Sequence, residues 1–236
     1  IEAGSFSETT TASFGADFVV GAVDGATSEA TTFDYQFGMN LSTSFTGEDS
    51  LDLTIETGNA SSPTATALNM NGMGDTMTLD GITYTFPLGD KATVMVGDST
   101  DVSALYSTAC TYSAFTDLLG NCGSGTAAGL GGGSDFTASP NSASSATVAA
   151  AYDFGNGFTS ALGFQTKDGE ENLGIMTEES EESYALNAAY SGDNYGLSVT
   201  YGNIEDGADG NDKYTAFNGY YTPDSTGLPS ISVGYE

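Results

Sequence analysis

The sequence predicts an all-β fold, an antiparallel transmembrane β-barrel, and three observations support this prediction. Apolar side chains alternate with small polar ones along many segments. Long and short connections alternate between those segments, and no apolar run approaches the roughly 18 residues of a transmembrane helix. The 236 residues fit one domain, 1–236, and 39% of them are hydrophobic, which argues against disorder.

The clearest alternation runs from Thr31 to Phe45. Alternate side chains of a strand point to opposite faces. One face is therefore apolar, with Phe33, Tyr35, Phe37, Met39, Leu41, Thr43 and Phe45. The other is small and polar, with Thr32, Asp34, Gln36, Gly38, Asn40, Ser42 and Ser44. A strand of these fifteen residues would span roughly 50 Å. Strands in most soluble proteins have only about 3–10 residues.

The same pattern predicts about eleven strands in all. The others lie near Phe14–Val20, Leu51–Ile55, Ile82–Phe86, Ala92–Val96, Ala146–Phe154, Phe158–Phe164, Tyr184–Tyr190, Tyr195–Tyr201, Lys213–Tyr221 and Ser230–Tyr235. The alternation changes phase at Asp80-Gly81, which indicates either a β-bulge or a separate hairpin turn. Aromatic residues occupy both parities of Lys213–Tyr221, so its faces stay unassigned.

The connections differ in length in a regular way. Short turns are predicted at 46–49, 87–90, 155–157 and 191–194, and longer segments at 22–30, 58–74, 98–144, 167–182 and 202–212. Outer-membrane barrels show this asymmetry. An odd number of strands would leave an open edge in lipid, whose backbone groups would lack hydrogen bonds. We therefore expect the barrel to be incomplete at its C-terminus in this chain.

The charge composition excludes several functions. The chain has 32 acidic residues against three basic ones, no histidine, and a formal net charge of −29. Nucleic-acid binding needs a basic surface, so we expect no nucleic-acid partner. Without histidine, Ser-His-Asp and Cys-His catalysis are excluded, as are histidine-ligated metal sites. We expect that the protein is not an enzyme.

Three stretches carry a resemblance to a known family. The segments IEAGSFSETTTASFGADFVVGAV, FGMNLSTSFTGEDSLDLTIETGN and GITYTFPLGDKATVMVGD resemble the cyanobacterial outer-membrane porins of the iron-uptake family. The resemblance covers Ile1 to about Gly123 well and is looser afterwards. It implies a porin barrel in the cell outer membrane, assembled as a homotrimer in the lipid bilayer and serving passive uptake. The absence of arginine departs from porin lumens in which acidic and basic rows face each other.

The polar faces of the predicted strands supply the candidate pore-lining residues. In a barrel they would point into the lumen, where water keeps carboxylates ionised and a ring of them attracts cations. The alternative is that they are solvated wall residues without influence on selectivity. The candidates are Asp17, Asp34, Gln36, Asn40, Asp52, Glu56 and Asp153.

The longest connection, 98–144, is the candidate constriction loop. A long segment without strands of its own is usually functional or disordered. We expect it to fold inward and narrow the pore, the alternative being a surface loop packed on a neighbouring subunit. It contains Cys110 and Cys122, which we expect to form a disulfide in an exported protein.

The acidic loops could bind Ca²⁺ or Mg²⁺, and no other cofactor is expected. The candidate ligands are Asp206, Asp209 and Asp212. Their spacing does not match an EF-hand and lacks its closing glutamate, so solvated, mutually repulsive loops are the favoured interpretation.

Two functions of different classes fit these observations. The first is a water-filled outer-membrane channel for passive diffusion of small hydrophilic solutes and inorganic ions. The second is a secreted acidic β-rich protein of a surface layer or of adhesion. Solubility without detergent distinguishes them, because only the channel requires an apolar exterior.

Overall fold

The computed structural model describes residues 9–25, 29–62, 64–65, 68, 70, 72, 74–98, 100, 103–107, 109, 146–166, 174–178, 180–206, 210–225 and 227–235. In these ranges, no helix is long and apolar enough to cross a membrane. The chain divides into two compact units, Ile1–Tyr84 and Thr85–Glu236.

The fold is all-β, as predicted. Within the described ranges, eleven strands form one sheet in which they follow one another in chain order. The neighbouring pairs from β1 to β3 and from β5 to β11 are antiparallel. The strands are β1 (Thr10–Gly21), β2 (Thr32–Thr43), β3 (Ser50–Gly58), β4 (Thr78–Leu88), β5 (Ala92–Asp98), β6 (Ala146–Gly155), β7 (Phe158–Thr166), β8 (Glu181–Ser191), β9 (Tyr195–Asp206), β10 (Gly210–Tyr221) and β11 (Ile231–Tyr235).

Two sequence-based expectations about connections need revision. The predicted long connection 202–212 is wrong, because β9 continues to Asp206, β10 begins at Gly210, and only 207–209 lie between them. The phase change at Asp80-Gly81 does not mark a separate hairpin, because β4 runs through both residues without interruption. In each unit we refer below to the strand ends at the short turns as the short-turn side: 44–49 in the first unit, and 89–91, 156–157 and 192–194 in the second.

In the first unit, the large apolar side chains of β1 and of the start of β2 are exposed, and those along the rest of β2 and along β3 are half-buried. Directly opposed residues of antiparallel strands share a face, and the register opposes Phe14 to Met39 and Phe18 to Tyr35. The Phe18 ring centroid lies 6.4 Å from that of Tyr35 and 6.2 Å from that of Phe33. Phe18 nevertheless remains 68% exposed and Phe33 59%. These aromatic side chains therefore cover one exposed face of the sheet.

The second unit repeats this arrangement with stricter alternation. Along β9, Leu197, Val199 and Tyr201 are exposed while Ser198 and Thr200 are buried. The exposed set continues across the sheet, since Val199 is opposed to Ala188 on β8 and to Phe217 on β10. A soluble protein buries its apolar set, because each large apolar side chain contributes about 1.5–3 kcal/mol when removed from water. This sheet shows the reverse of that rule, because its large apolar side chains are exposed and its small polar ones are buried.

The turn between β6 and β7 depends on backbone conformations that favour glycine. Gly155, Asn156 and Gly157 all have positive φ angles, 84°, 55° and 84°. A Cβ atom at Gly157 would overlap the Ser191 carbonyl oxygen. Because the Ser191 amide donates to the Gly157 carbonyl oxygen at 2.9 Å, this close approach joins the β6–β7 and β8–β9 turns.

Candidate functional site

The polar face of the first unit carries carboxylates in successive rows across three strands. Asp17 on β1 is opposed to Gln36 on β2. The Gln36 amide donates to the Asp17 carboxylate at 2.7 Å, which fixes both side chains on this face. Two residues further along β2, Gly38 is opposed to Gly15 on one side and to Glu56 on the other.

Glycine makes room on this face for the longest acidic side chain. A Cβ atom at Gly38 would lie 3.9 Å from Glu56 Oε1, so the Glu56 carboxylate extends over Gly38. Further rows place Asn40 opposite Thr54 and Ser42 opposite Asp52. The Thr54 hydroxyl donates to Asn40 Oδ1 at 2.9 Å, and the Ser50 hydroxyl donates to Asp52 at 2.7 Å. The register thus brings five of the predicted residues onto one face: Asp17, Gln36, Asn40, Asp52 and Glu56.

Asp34 differs from the expectation that water surrounds it. It is 3% exposed, and its Oδ2 accepts hydrogen bonds from the Thr32 hydroxyl at 2.8 Å and the Ser62 hydroxyl at 2.7 Å. The Ser62 hydroxyl also accepts from the Ala65 amide at 3.1 Å. The carboxylate therefore holds the start of the β3–β4 connection against β2, because a buried charge requires such partners.

The β2–β3 turn is organised around the carboxylate of Asp49. One oxygen accepts from the Phe45 and Thr46 amides at 2.9 and 2.7 Å and from the Ser44 hydroxyl at 2.8 Å. The other accepts from the Tyr84 hydroxyl at 2.7 Å. Hydrogen bonds from Tyr84 first, and then from Thr46 and Ser44, hold the pKa of Asp49 well below its ordinary value, because they stabilise the charged form.

The polar face of the second unit carries mainly amides, hydroxyls and small residues, with Met95 of β5 buried among them. Asn187 is fully buried, and its Nδ2 donates to the Thr200 hydroxyl at 2.9 Å. Thr147, Gln165 and Ser198 share the face and are at most 7% exposed. The sequence-based pore-lining candidates do not include these residues, because apart from Gln36 and Asn40 those candidates are carboxylates. The sequence pattern that could have identified these neutral residues is their alternation with apolar residues along each strand.

Three described residues that follow β5, Thr100, Ser107 and Ala109, lie against this neutral face. The Ser107 amide donates to Asn187 Oδ1 at 3.1 Å, and the Ala109 amide donates to Ser198 Oγ at 3.0 Å. The Thr147 hydroxyl donates to the Thr100 carbonyl oxygen at 2.6 Å. Backbone groups of 100–109 thus find partners on side chains of β6, β8 and β9, which satisfies polar groups that would otherwise be buried without hydrogen bonds.

Tyr106 lies in the middle of this segment. Burial raises the pKa of its hydroxyl above the ordinary value of 10, because a low-polarity surrounding disfavours the phenolate. A tyrosine hydroxyl with its ordinary pKa is already neutral at physiological pH, and burial shifts the pKa further in that direction, so Tyr106 adds no charge to this face.

The remaining predicted residues occupy other places. Asp153 is exposed near the end of β6, and its Oδ1 accepts from the Gly155 amide at 2.7 Å, so it belongs to the β6–β7 turn. Cys110, Cys122 and Asp209 lie outside the described residues, and the predicted disulfide stays a prediction. Asp206 and Asp212 lie at the ends of β9 and β10. The part of the chain that the structure describes contains no group of three or more acidic or cysteine side chains suited to a metal ion.

Comparisons with known proteins agree with this architecture. No protein-family model matches the sequence, and no curated protein is similar to it in sequence. Among solved structures, mutants of the Rh. blastica porin are similar in fold. One aligns with a TM-score of 0.56 at 14% identity, covering 95% of this chain and 73% of the porin. A second aligns with a TM-score of 0.53 at 16% identity, covering 90% and 69%. The fold is therefore of porin type.

Proposed function

We propose that this protein is an outer-membrane porin, a water-filled channel for passive diffusion of small hydrophilic solutes and inorganic ions. The inverted sheet carries this proposal: large apolar side chains cover one face, and carboxylates, amides and hydroxyls occupy the other. Lipid would contact the first face and water the second. Every strand would satisfy its backbone hydrogen bonds through its neighbours, as a membrane requires. No reacting residue is needed, and we propose no enzymatic activity.

Three finer features belong to the same proposal. The motifs shared with cyanobacterial iron-uptake porins support membership of that family and assembly as a homotrimer. Contacts of 100–109 with Asn187 and Ser198 support 98–144 as the constriction loop. The acidic rows on β1 and β3 support a preference for cations or neutral solutes, because carboxylates attract cations.

Planar-bilayer recording tests the channel. Protein extracted in detergent should give stepwise ohmic currents in KCl, while heat-denatured protein from the same preparation should give none. Sedimentation without detergent tests the opposing interpretation as a secreted surface-layer or adhesion protein. A monodisperse species that stays soluble without detergent and forms no channels would contradict the porin proposal.

A further inference from the structure

A cavity on the polar face of the second unit has the size of a ligand site. Its volume is about 460 Å³, and it lies beneath Ser107 and Ala109 at the short-turn side. The residues that line it include Thr159, Ser191 and Tyr220, which carry hydroxyl groups, and Asp193, which carries a carboxylate. We call it the turn-side chamber. Small-molecule sites in proteins typically have volumes of about 300–1,000 Å³.

The two ends of the turn-side chamber are fixed by hydrogen bonds. Above it, the bonds to Asn187 and Ser198 hold Ser107 and Ala109 in place. Below it, the Thr222 amide donates to the Asn194 carbonyl oxygen at 2.7 Å, and Asn194 Nδ2 donates to the Thr222 carbonyl oxygen at 3.1 Å. The chamber is therefore preformed, which reduces the cost of ordering it around a ligand.

One wall of the chamber is an aromatic ring in a defined position. Tyr220 belongs to the same parity of β10 as the buried Ala216 and Asn218 and is opposed to Gly196 on β9. A Cβ atom at Gly196 would overlap the Tyr220 ring, so the ring lies directly over this glycine. Its hydroxyl lies 3.4 Å from Ser191 Oγ. The ring and the hydroxyls are thus held together on one side of the space.

The lining chemistry selects the class of ligand. Among the described residues that line the chamber, Asp193 alone carries a charge. The hydroxyls of Thr159 and Ser191 can accept hydrogen bonds from a cation, and an aromatic face attracts one within about 6 Å. Ala109 and Ala189 supply apolar surface. A bare Ca²⁺ ion, which takes 6–8 oxygen ligands, fits this mixed lining poorly, whereas an ammonium group on a short alkyl chain fits it well.

We propose that the turn-side chamber binds small organic cations that carry a primary ammonium group as they pass through the channel. This proposal rests on the channel function proposed above. The ammonium group contacts Asp193 and the neighbouring hydroxyls, and the alkyl part lies against Tyr220 and the alanines. A binding site of this kind retains these cations longer than potassium ions and reduces the potassium current while it is occupied.

Current block by ethylammonium chloride tests the proposal. Added to a conducting channel in KCl, it should reduce the current in a saturable way. Asp193→Asn should raise the half-blocking concentration about fivefold, the effect of removing one exposed charge. Tyr220→Leu should raise it as well. Asp90→Asn is the matched control, because Asp90 is an exposed carboxylate in the 89–91 turn, away from the chamber lining.

These outcomes distinguish failure of the chamber proposal from failure of the channel proposal. Normal conduction without block, or equal effects of Asp193→Asn and Asp90→Asn, would overturn the chamber and leave the channel intact. Absence of conduction would contradict the channel. In that case, saturation-transfer NMR with ethylammonium on detergent-solubilised protein decides: a signal in the wild type that Asp193→Asn weakens supports the chamber, and an unchanged signal overturns it.

Discussion

Single residues determine the conformation and the hydrogen bonding of the connections on the short-turn side. Asp49 shows this most clearly, since its carboxylate accepts hydrogen bonds from two backbone amides and from the hydroxyls of Ser44, Thr46 and Tyr84. Its depressed pKa has a definite consequence. A carboxyl group that binds its proton less readily when folded stabilises the fold above the pKa of the unfolded state, about 4, and loses this contribution as the pH falls below that value.

Asp49→Asn should therefore loosen the 44–49 turn. The amide side chain keeps one acceptor oxygen but lacks the charge that strengthens these bonds. Hydrogen exchange of the Phe45 and Thr46 amides should accelerate by about tenfold at neutral pH, and the difference from the wild type should shrink as the pH falls below about 4. Glu48→Gln is the control, because Glu48 is exposed in the same turn. Equal exchange in both variants would contradict the role of Asp49.

Substitution of Gly157 tests whether the close backbone approach between the β6–β7 and β8–β9 turns contributes to stability. Gly155→Ala and Gly157→Ala both place an alanine at a φ of 84°, so both carry the same conformational strain. Only at Gly157 does the added Cβ meet the Ser191 carbonyl oxygen, while nothing lies within 4 Å of it at Gly155. Urea unfolding in lipid vesicles should show that Gly157→Ala lowers the free energy of unfolding by about 1–3 kcal/mol more than Gly155→Ala.

At the scale of strands, sequence alternation predicts the fold well where the two faces differ in chemistry. Along β2, apolar and small or polar side chains alternate at every step from Phe33 to Ser42, and the predicted faces agree with the register. The alternation fails at the β9–β10 hairpin, because Asn203–Asp206 and Gly210–Asp212 contain a single apolar side chain, Ile204, and otherwise resemble a loop. It also leaves Asn187 and Ser198 inconspicuous, since their importance comes from backbone groups of 100–109, which reach them only in three dimensions.

Adjacent residues of β2 on opposite faces give a matched test of orientation. Phe37→Lys places a charge on the apolar face and should lower the free energy of unfolding in vesicles by about 2–4 kcal/mol, the cost of a lysine facing the middle of a bilayer. Gln36→Lys places the same residue opposite Asp17 on the polar face and should be tolerated within about 1 kcal/mol. Equal destabilisation by both would contradict the proposed exposure of one face to lipid.

The segment 100–109 should respond to the loss of its side-chain partners. The double variant Asn187→Ala and Ser198→Ala leaves the Ser107 and Ala109 amides without acceptors, at a cost of about 1–3 kcal/mol each. The segment should detach from the polar face, and single-channel recordings should show a larger or noisier conductance. Leu186→Ala and Val199→Ala, which alter the neighbouring exposed residues, form the control pair. Unchanged conductance in the double variant would argue against a constriction at this place.

At the scale of the whole molecule, the charge of −29 has two possible effects on ion flow. It can act as a diffuse field from all surface carboxylates, which salt screens beyond about 10 Å at 0.1 M, or through carboxylates that line the path. The rows on β1 and β3 favour the second effect, because Asp17, Asp52 and Glu56 share one face with Gln36 and Asn40. A local effect persists at high ionic strength, whereas a diffuse field is lost.

Reversal potentials distinguish these two effects. The triple variant Asp17→Asn, Asp52→Asn and Glu56→Gln should lower the potassium-to-chloride permeability ratio, and the loss should remain in 1 M KCl, where the screening length is about 3 Å. Asp24→Asn, Glu48→Gln and Asp90→Asn remove the same charge from exposed connections and should change the ratio only at low salt. If both triple variants behave alike, selectivity arises from total charge. If the wild type prefers chloride, the acidic face does not line the conducting path, because carboxylates at the path would concentrate potassium there.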